Sequence, residues 1–124
     1  MVAQERDRKQ RAGLYIDTAV TNEIIECLGH DAFKDIASLF IKNGQELVGS
    51  LNSAYDQRDK NTLHRIAHTL KGSSGNIGAR ALFQLCDRLD ANVQADADFE
   101  DMQDFISRIN DEFGYLVDQL RRAV

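Results

Sequence analysis

No proline interrupts the 124 residues of this chain, and its apolar residues recur at steps of three and four from Val20 to Leu120. Proline removes a backbone donor and breaks helices, so a chain without it is open to long ones. Steps of three and four gather apolar side chains on one stripe of a helix; a half-buried strand needs strict alternation, and no segment alternates. Five amphipathic segments result. The first runs from Asp17 to Leu28 and stops at Gly29, with Val20, Ile24, Ile25 and Leu28 on one side. The second runs from Asp31 to Asp56, and Gly44 takes one of its inward steps, where it allows a close helix crossing. The stretch "QRDKN" is a turn in which Asp59 or Asn61 can cap the next helix. The third segment runs from Thr62 to Asn76, the fourth from Ala79 to Val93 and the fifth from Phe99 to Arg122. The expected fold is all-α: an antiparallel up-down four-helix bundle with a short additional N-terminal helix capping one end.

Charge narrows the class of partner. The formal net charge of −5 argues against binding to nucleic acid or to an anionic membrane surface. No apolar run approaches the roughly 20 residues that membrane insertion needs. The opening "MVAQERDRKQ" is charged with no apolar core behind it, so no signal peptide is expected. Residues 1–13 read as a polar N-terminal tail, a linker or a frayed helix, and residues 14–124 as the domain. Cys27 and Cys86 sit among apolar helical neighbours and read as reduced core residues. A cytoplasmic monomer is expected.

The third segment carries "AHTLKGSSGNIG", in which glycine interrupts a helical pattern beside a histidine. Each interior glycine costs about 1 kcal/mol relative to alanine. On a wheel at about 100° per residue, Ile66, Ala67, Leu70 and Ile77 fall within about 60° of Leu63 and form the buried face. His68 then lies about 140° away, Gly72 about 180° and Gly75 about 120°. The imidazole therefore points outward with two glycines on its side, and His64, Arg65 and Lys71 border the same surface. Gly72 clears space for something large to approach His68; Gly75 reads either the same way or as a feature of the helix end. Lys71, one turn on, can stabilise an anion attached to or arriving at His68. From Lys60 to Cys86 there are 27 residues without Asp or Glu, although the chain holds 20 acids. A region kept free of negative charge is what a doubly charged phosphoryl group requires.

These residues resemble a known signature. "AHTLKGSSGNIGARALFQLCDRLD" is similar to the motif of the histidine-containing phosphotransfer (HPt) domain. The elements that carry the likeness are Ala67-His68, Leu70-Lys71-Gly72-Ser73, Gly78, Leu82, Leu85-Cys86 and Leu89. The resemblance implies a phosphoryl carrier of multistep His-Asp phosphorelays, exchanging a phosphoryl group between His68 and receiver-domain aspartates of a two-component system. It implies response-regulator receiver domains and a hybrid sensor histidine kinase as partners, with the receiver supplying the aspartate and a divalent metal. A neutral imidazole is a good nucleophile near neutral pH. No nucleotide-binding motif is present, so the chain is expected to act without ATP, kinase machinery, cofactor or metal of its own.

The expected roles are His68 as phosphoryl acceptor, Lys71 as phosphate-neutralising residue and Gly72 as clearance, with His64, Arg65 and Gly75 on the partner-binding surface. Ser73 and Ser74 fall towards the core and are expected to be structural. Some HPt domains hold the histidine ring with a glutamine on the following helix. At the comparable place this chain has Asp87 and Asp90, with Gln84 a turn earlier, and the three stay open as ring-orienting residues. Two other classes compete. His64 and His68 at i, i+4 could share a metal in a metal-binding bundle, although no Glu-x-x-His motif accompanies them. An interaction module that binds a receiver without carrying phosphate would not need the His-Lys-Gly set.

Overall fold

The computed structural model describes residues 16–123, so the expected N-terminal tail lies outside the described residues. These residues form five helices: α1 Thr18–Leu28, α2 His30–Asp56, α3 Lys60–Ile77, α4 Arg80–Gln94 and α5 Phe99–Ala123. No described residue is in a strand. Helices α2 to α5 each pack against their neighbour in sequence, and α5 closes the ring against α2. That closed order is an antiparallel up-down bundle.

The helix ends differ from the sequence expectation by one or two residues, for local reasons. Asp59, not Asn61, caps α3, its carboxylate accepting from the Thr62 amide at 3.1 Å and the Thr62 hydroxyl at 2.5 Å. The helix therefore begins at Lys60 rather than Thr62. These Thr62 hydrogen bonds hold the Asp59 carboxyl below its ordinary range.

Three helices end in one way. Arg58, Gly78 and Asp96 take left-handed backbone angles, with φ of 56°, 82° and 56°. The next amide bonds back to Ala54, Ser74 and Asn92 respectively, at 2.9, 2.8 and 3.0 Å. This pairing satisfies helix-terminal carbonyls. Arg58 and Asp96 do so without being glycine. The Arg58 guanidinium covers the Tyr55 and Phe99 rings, each at 4.9 Å, which helps hold the strained residue in place.

The core is one cluster running from Ile16 to Leu120, with Leu51, Leu63, Leu70, Leu89, Ile109 and Leu116 almost wholly enclosed. Gly44 sits in it as expected: an added Cβ would land on the Phe113 ring, so α2 and α5 approach closely there. The short α1 lies over the end where α3 turns into α4. The Asp17 amide donates to the Gly78 carbonyl at 2.7 Å, and the Asp17 carboxylate meets Arg80 at 3.1 Å. Two expectations fail in α1. Leu28 is 62% exposed, and Cys27 is exposed rather than in the core. With neighbours on one side only, a short capping helix buries just part of its stripe. Cys86 is buried as expected, and burial pushes its thiol up to about 12.

Candidate functional site

Helix α3 is held from below and open above. Leu63, Ile66, Ala67, Leu70 and Ile77 are buried, and Ser74 is buried with its hydroxyl donating to the Leu70 carbonyl at 2.6 Å. Ser74 is thus structural, as expected. Ser73 is half-buried and lines a groove towards α2. His68 and Gly72 are exposed, and an added Cβ at Gly72 would meet no heavy atom within 4 Å.

Gly75 is also exposed, but a Cβ there would touch the Phe83 ring at 3.4 Å, and the Gly75 carbonyl accepts from the Gly78 amide. The helix stop is Gly78, whose left-handed backbone also brings it against Val20, 2.8 Å from where a Cβ would stand. Gly75 therefore lies beside an aromatic that sequence reasoning passed over. Phe83 is partly exposed and lies under the Lys71 ammonium at 5.7 Å.

The long acid-free window of α3 is not acid-free in space. Helix α4 runs back along α3, and it and the turn beyond it return carboxylates to α3. Lys60 pairs with Asp96, His64 Nδ1 with Asp90, and Lys71 Nζ with Asp87 at 3.1 Å. The Lys60 contact holds the Asp96 carboxyl below its ordinary range. Asp90 is only 8% exposed in its side chain. A buried carboxylate needs hydrogen-bond donors, and it has two: His64 on Oδ1 and Gln94 Nε2 on Oδ2 at 3.3 Å.

Among the described residues no side chain hydrogen-bonds the His68 ring. Its neighbour is the His64 ring, near-parallel at 27° and 6.2 Å between centroids. The three residues left open for orienting His68 do not hold it. Asp87 is on Lys71, Asp90 is on His64, and Gln84 faces the α4–α5 groove beside Arg88 and Arg108. The cross-helix register decides this, because α4 carries Asp90 level with His64 and Asp87 within reach of Lys71. Arg65 lies on the other flank of α3, in the groove with α2 that Thr69 and Ser73 also line. His68 thus stands between an α4 flank with His64 and Lys71 and an α2 flank with Arg65. No three His, Cys, Asp or Glu side chains among the described residues converge as a metal site.

The four-helix bundle thus presents an exposed imidazole on the outer face of one helix, with a lysine and a glycine one turn on. The sequence matches the Hpt domain over residues 35–123, so the chain belongs to the Hpt domain family and is a histidine phosphotransfer protein of phosphorelay signalling. The match begins inside α2 and leaves α1 outside it. Its fold is similar to the crystal structure of histidine-containing phosphotransfer protein B (HptB) from Pseudomonas aeruginosa, with a TM-score of 0.81 and 23% identity over 88% of this chain and 93% of that one. None of the curated proteins compared matches the sequence. Hpt domains are phosphoryl carriers that work with receiver domains and kinases. No described helix is long and apolar enough to cross a membrane.

Proposed function

We propose that His68 is the phosphoryl-accepting residue, taking a phosphoryl group from a receiver aspartate and returning it to another. The observation that carries this reading is the His68 ring itself: exposed on a convex helix, without a hydrogen-bond partner among the described residues, one turn from the open surface over Gly72. An imidazole so placed can enter the concave site of a partner, and its nitrogen is not engaged by a neighbour. Transfer rests on positioning and charge neutralisation, which is the protein's share in phosphoryl transfer generally. Lys71 supplies the cation. Its pairing with Asp87 is on the surface and therefore weak, so an arriving phosphoryl group can draw the ammonium away. Gly72 supplies clearance, while His64, Arg65 and Gly75 lie on the surface the receiver covers.

The carrier acts without ATP or an enzymatic step of its own, as a cytoplasmic monomer whose domain spans residues 14–124 beyond a polar tail or linker of residues 1–13. The absence of any nucleotide-binding motif in the sequence supports the first of these, and the two unpaired cysteines support a reducing compartment.

The test is incubation with a phosphorylated receiver. The wild type should gain acid-labile, base-stable phosphate and His68→Gln should gain none. A wild type that takes no label overturns the carrier reading, and equal labelling of His68→Gln overturns the site.

A further inference from the structure

Asp90 is a carboxylate buried on the leucine-rich face of α4, and its Oδ1 is committed to a histidine one turn before His68. A carboxylate is acceptor-only, so the proton of this contact sits on His64 Nδ1. The other ring nitrogen, Nε2, then lies across the ring from α4, on a side chain that is 48% exposed and whose ring runs near-parallel to that of His68. Lys71 stands one turn beyond His68, in a weaker surface pair with Asp87. His68 is bracketed by two basic groups, each tethered to α4 by an aspartate.

We propose that His64 is a second phosphoryl-contacting group and that Asp90 is the residue that positions it; this rests on His68 being the phosphoryl site. With Nδ1–H given to Asp90, a neutral His64 has only a lone pair at Nε2, which a phosphoryl oxygen repels. The imidazolium form donates from both nitrogens, to Asp90 on one side and to the phosphoryl oxygen on the other. Phosphorylation of His68 is therefore coupled to the uptake of one proton by His64. In the transfer step a His68 nitrogen lone pair forms the P–N bond. The acyl phosphate P–O bond breaks, and its electron pair leaves with the receiver carboxylate. The proton that arrives at His64 Nε2 comes from solvent.

The charged and titratable groups around His64 are Lys60, His68 and Lys71 on α3, and Asp87, Asp90 and Asp96 from α4 and the turn beyond it. Helix α2 meets α3 on the opposite flank, where Arg65 lies. Only Asp90 is both buried and in contact with the His64 ring, so it sets the proton's position.

The full chain should be phosphorylated with a receiver domain of the same organism and its imidazole nitrogens followed by NMR at neutral pH. Phosphorylation should increase the share of His64 that carries protons on both ring nitrogens, read from its Nδ1 and Nε2 signals. At equilibrium with the receiver, His64→Gln should lower the share of phosphoryl group on the carrier about tenfold, equivalent to about 1.4 kcal/mol. This variant keeps an amide donor for Asp90, so the fold is retained, and a thermal melt checks it. Asp90→Asn should have a similar effect, and the double variant no more, because the two side chains act as a unit. An unchanged His64 proton count, or a wild-type equilibrium in His64→Gln, overturns this inference while leaving His68 as carrier. A wild type that takes no phosphoryl group removes the carrier reading itself.

Discussion

Replacing Gly72 should make the domain more stable and a worse carrier. The residue lies inside α3, five positions before the last helical residue, and nothing stands within 4 Å of an added Cβ. Without a clash, the substitution reads out helix propensity alone. Gly72→Ala should stabilise the fold by about 1 kcal/mol, and Gly72→Gln by somewhat less. For a domain of this size that raises the melting temperature by about 4 °C. Transfer should respond in the opposite direction. Position 72 is one turn from His68 on the same outer face, so a long side chain there occupies the space of an approaching receiver. A misplacement of about 1 Å can cost a hundredfold in rate. Gly72→Gln should therefore slow transfer from a phosphorylated receiver at least tenfold, with Gly72→Ala between it and the wild type. Thermal melts by circular dichroism and rapid-quench phosphotransfer measure the two effects separately. A variant that melts higher and transfers at the wild-type rate refutes the clearance argument. A variant that melts lower refutes the reading of open space above the helix.

Gly44→Ala should destabilise the fold by about 1–3 kcal/mol despite its better helix propensity, because its Cβ lands on the Phe113 ring in the core. Gly49→Ala, in the same helix with nothing within 4 Å, should stabilise it, and urea unfolding of the pair isolates the packing contribution. The Asp59 carboxyl is held below its ordinary value by Thr62, so the stability it contributes is present above the ordinary carboxylate range and is lost as pH falls through the lowered folded value. Urea midpoints measured from pH 5 downward should fall less steeply in Asp59→Asn than in the wild type. Exposed Cys27 should react quickly with a thiol reagent in the native protein, while buried Cys86, with its thiol raised to about 12, reacts only after unfolding.

The helices were legible because their causes are local. Apolar spacing and the Asp59 cap, one of the two the sequence offered, act within a turn or two of chain, and the bounds moved by only one or two residues; Asp17, read as the first helical residue, is the cap of its helix, and Gly78 rather than Gly75 ends α3. The exposure of His68 was legible for the same reason: angle around a helix follows from position alone once the buried stripe is known. Arg58 and Asp96 were harder. Each takes a left-handed backbone that glycine would announce, and in Arg58 the compensation comes from Phe99, 41 positions along the chain. Leu28 and Cys27 misled because periodicity shows which side of a helix is apolar and not whether anything covers it.

Around His68 the division is sharper. The sequence by itself determined an exposed imidazole on an outer helix face, with a lysine and a glycine one turn on, because one helix contains all three. It also determined an α3 without carboxylates. Only the tertiary structure decided which acids of α4 come back to that helix and where each one settles. The register of two packed helices is set by the side chains buried between them, and that register puts Asp90 on His64 and Asp87 on Lys71, leaving the His68 ring to its histidine neighbour.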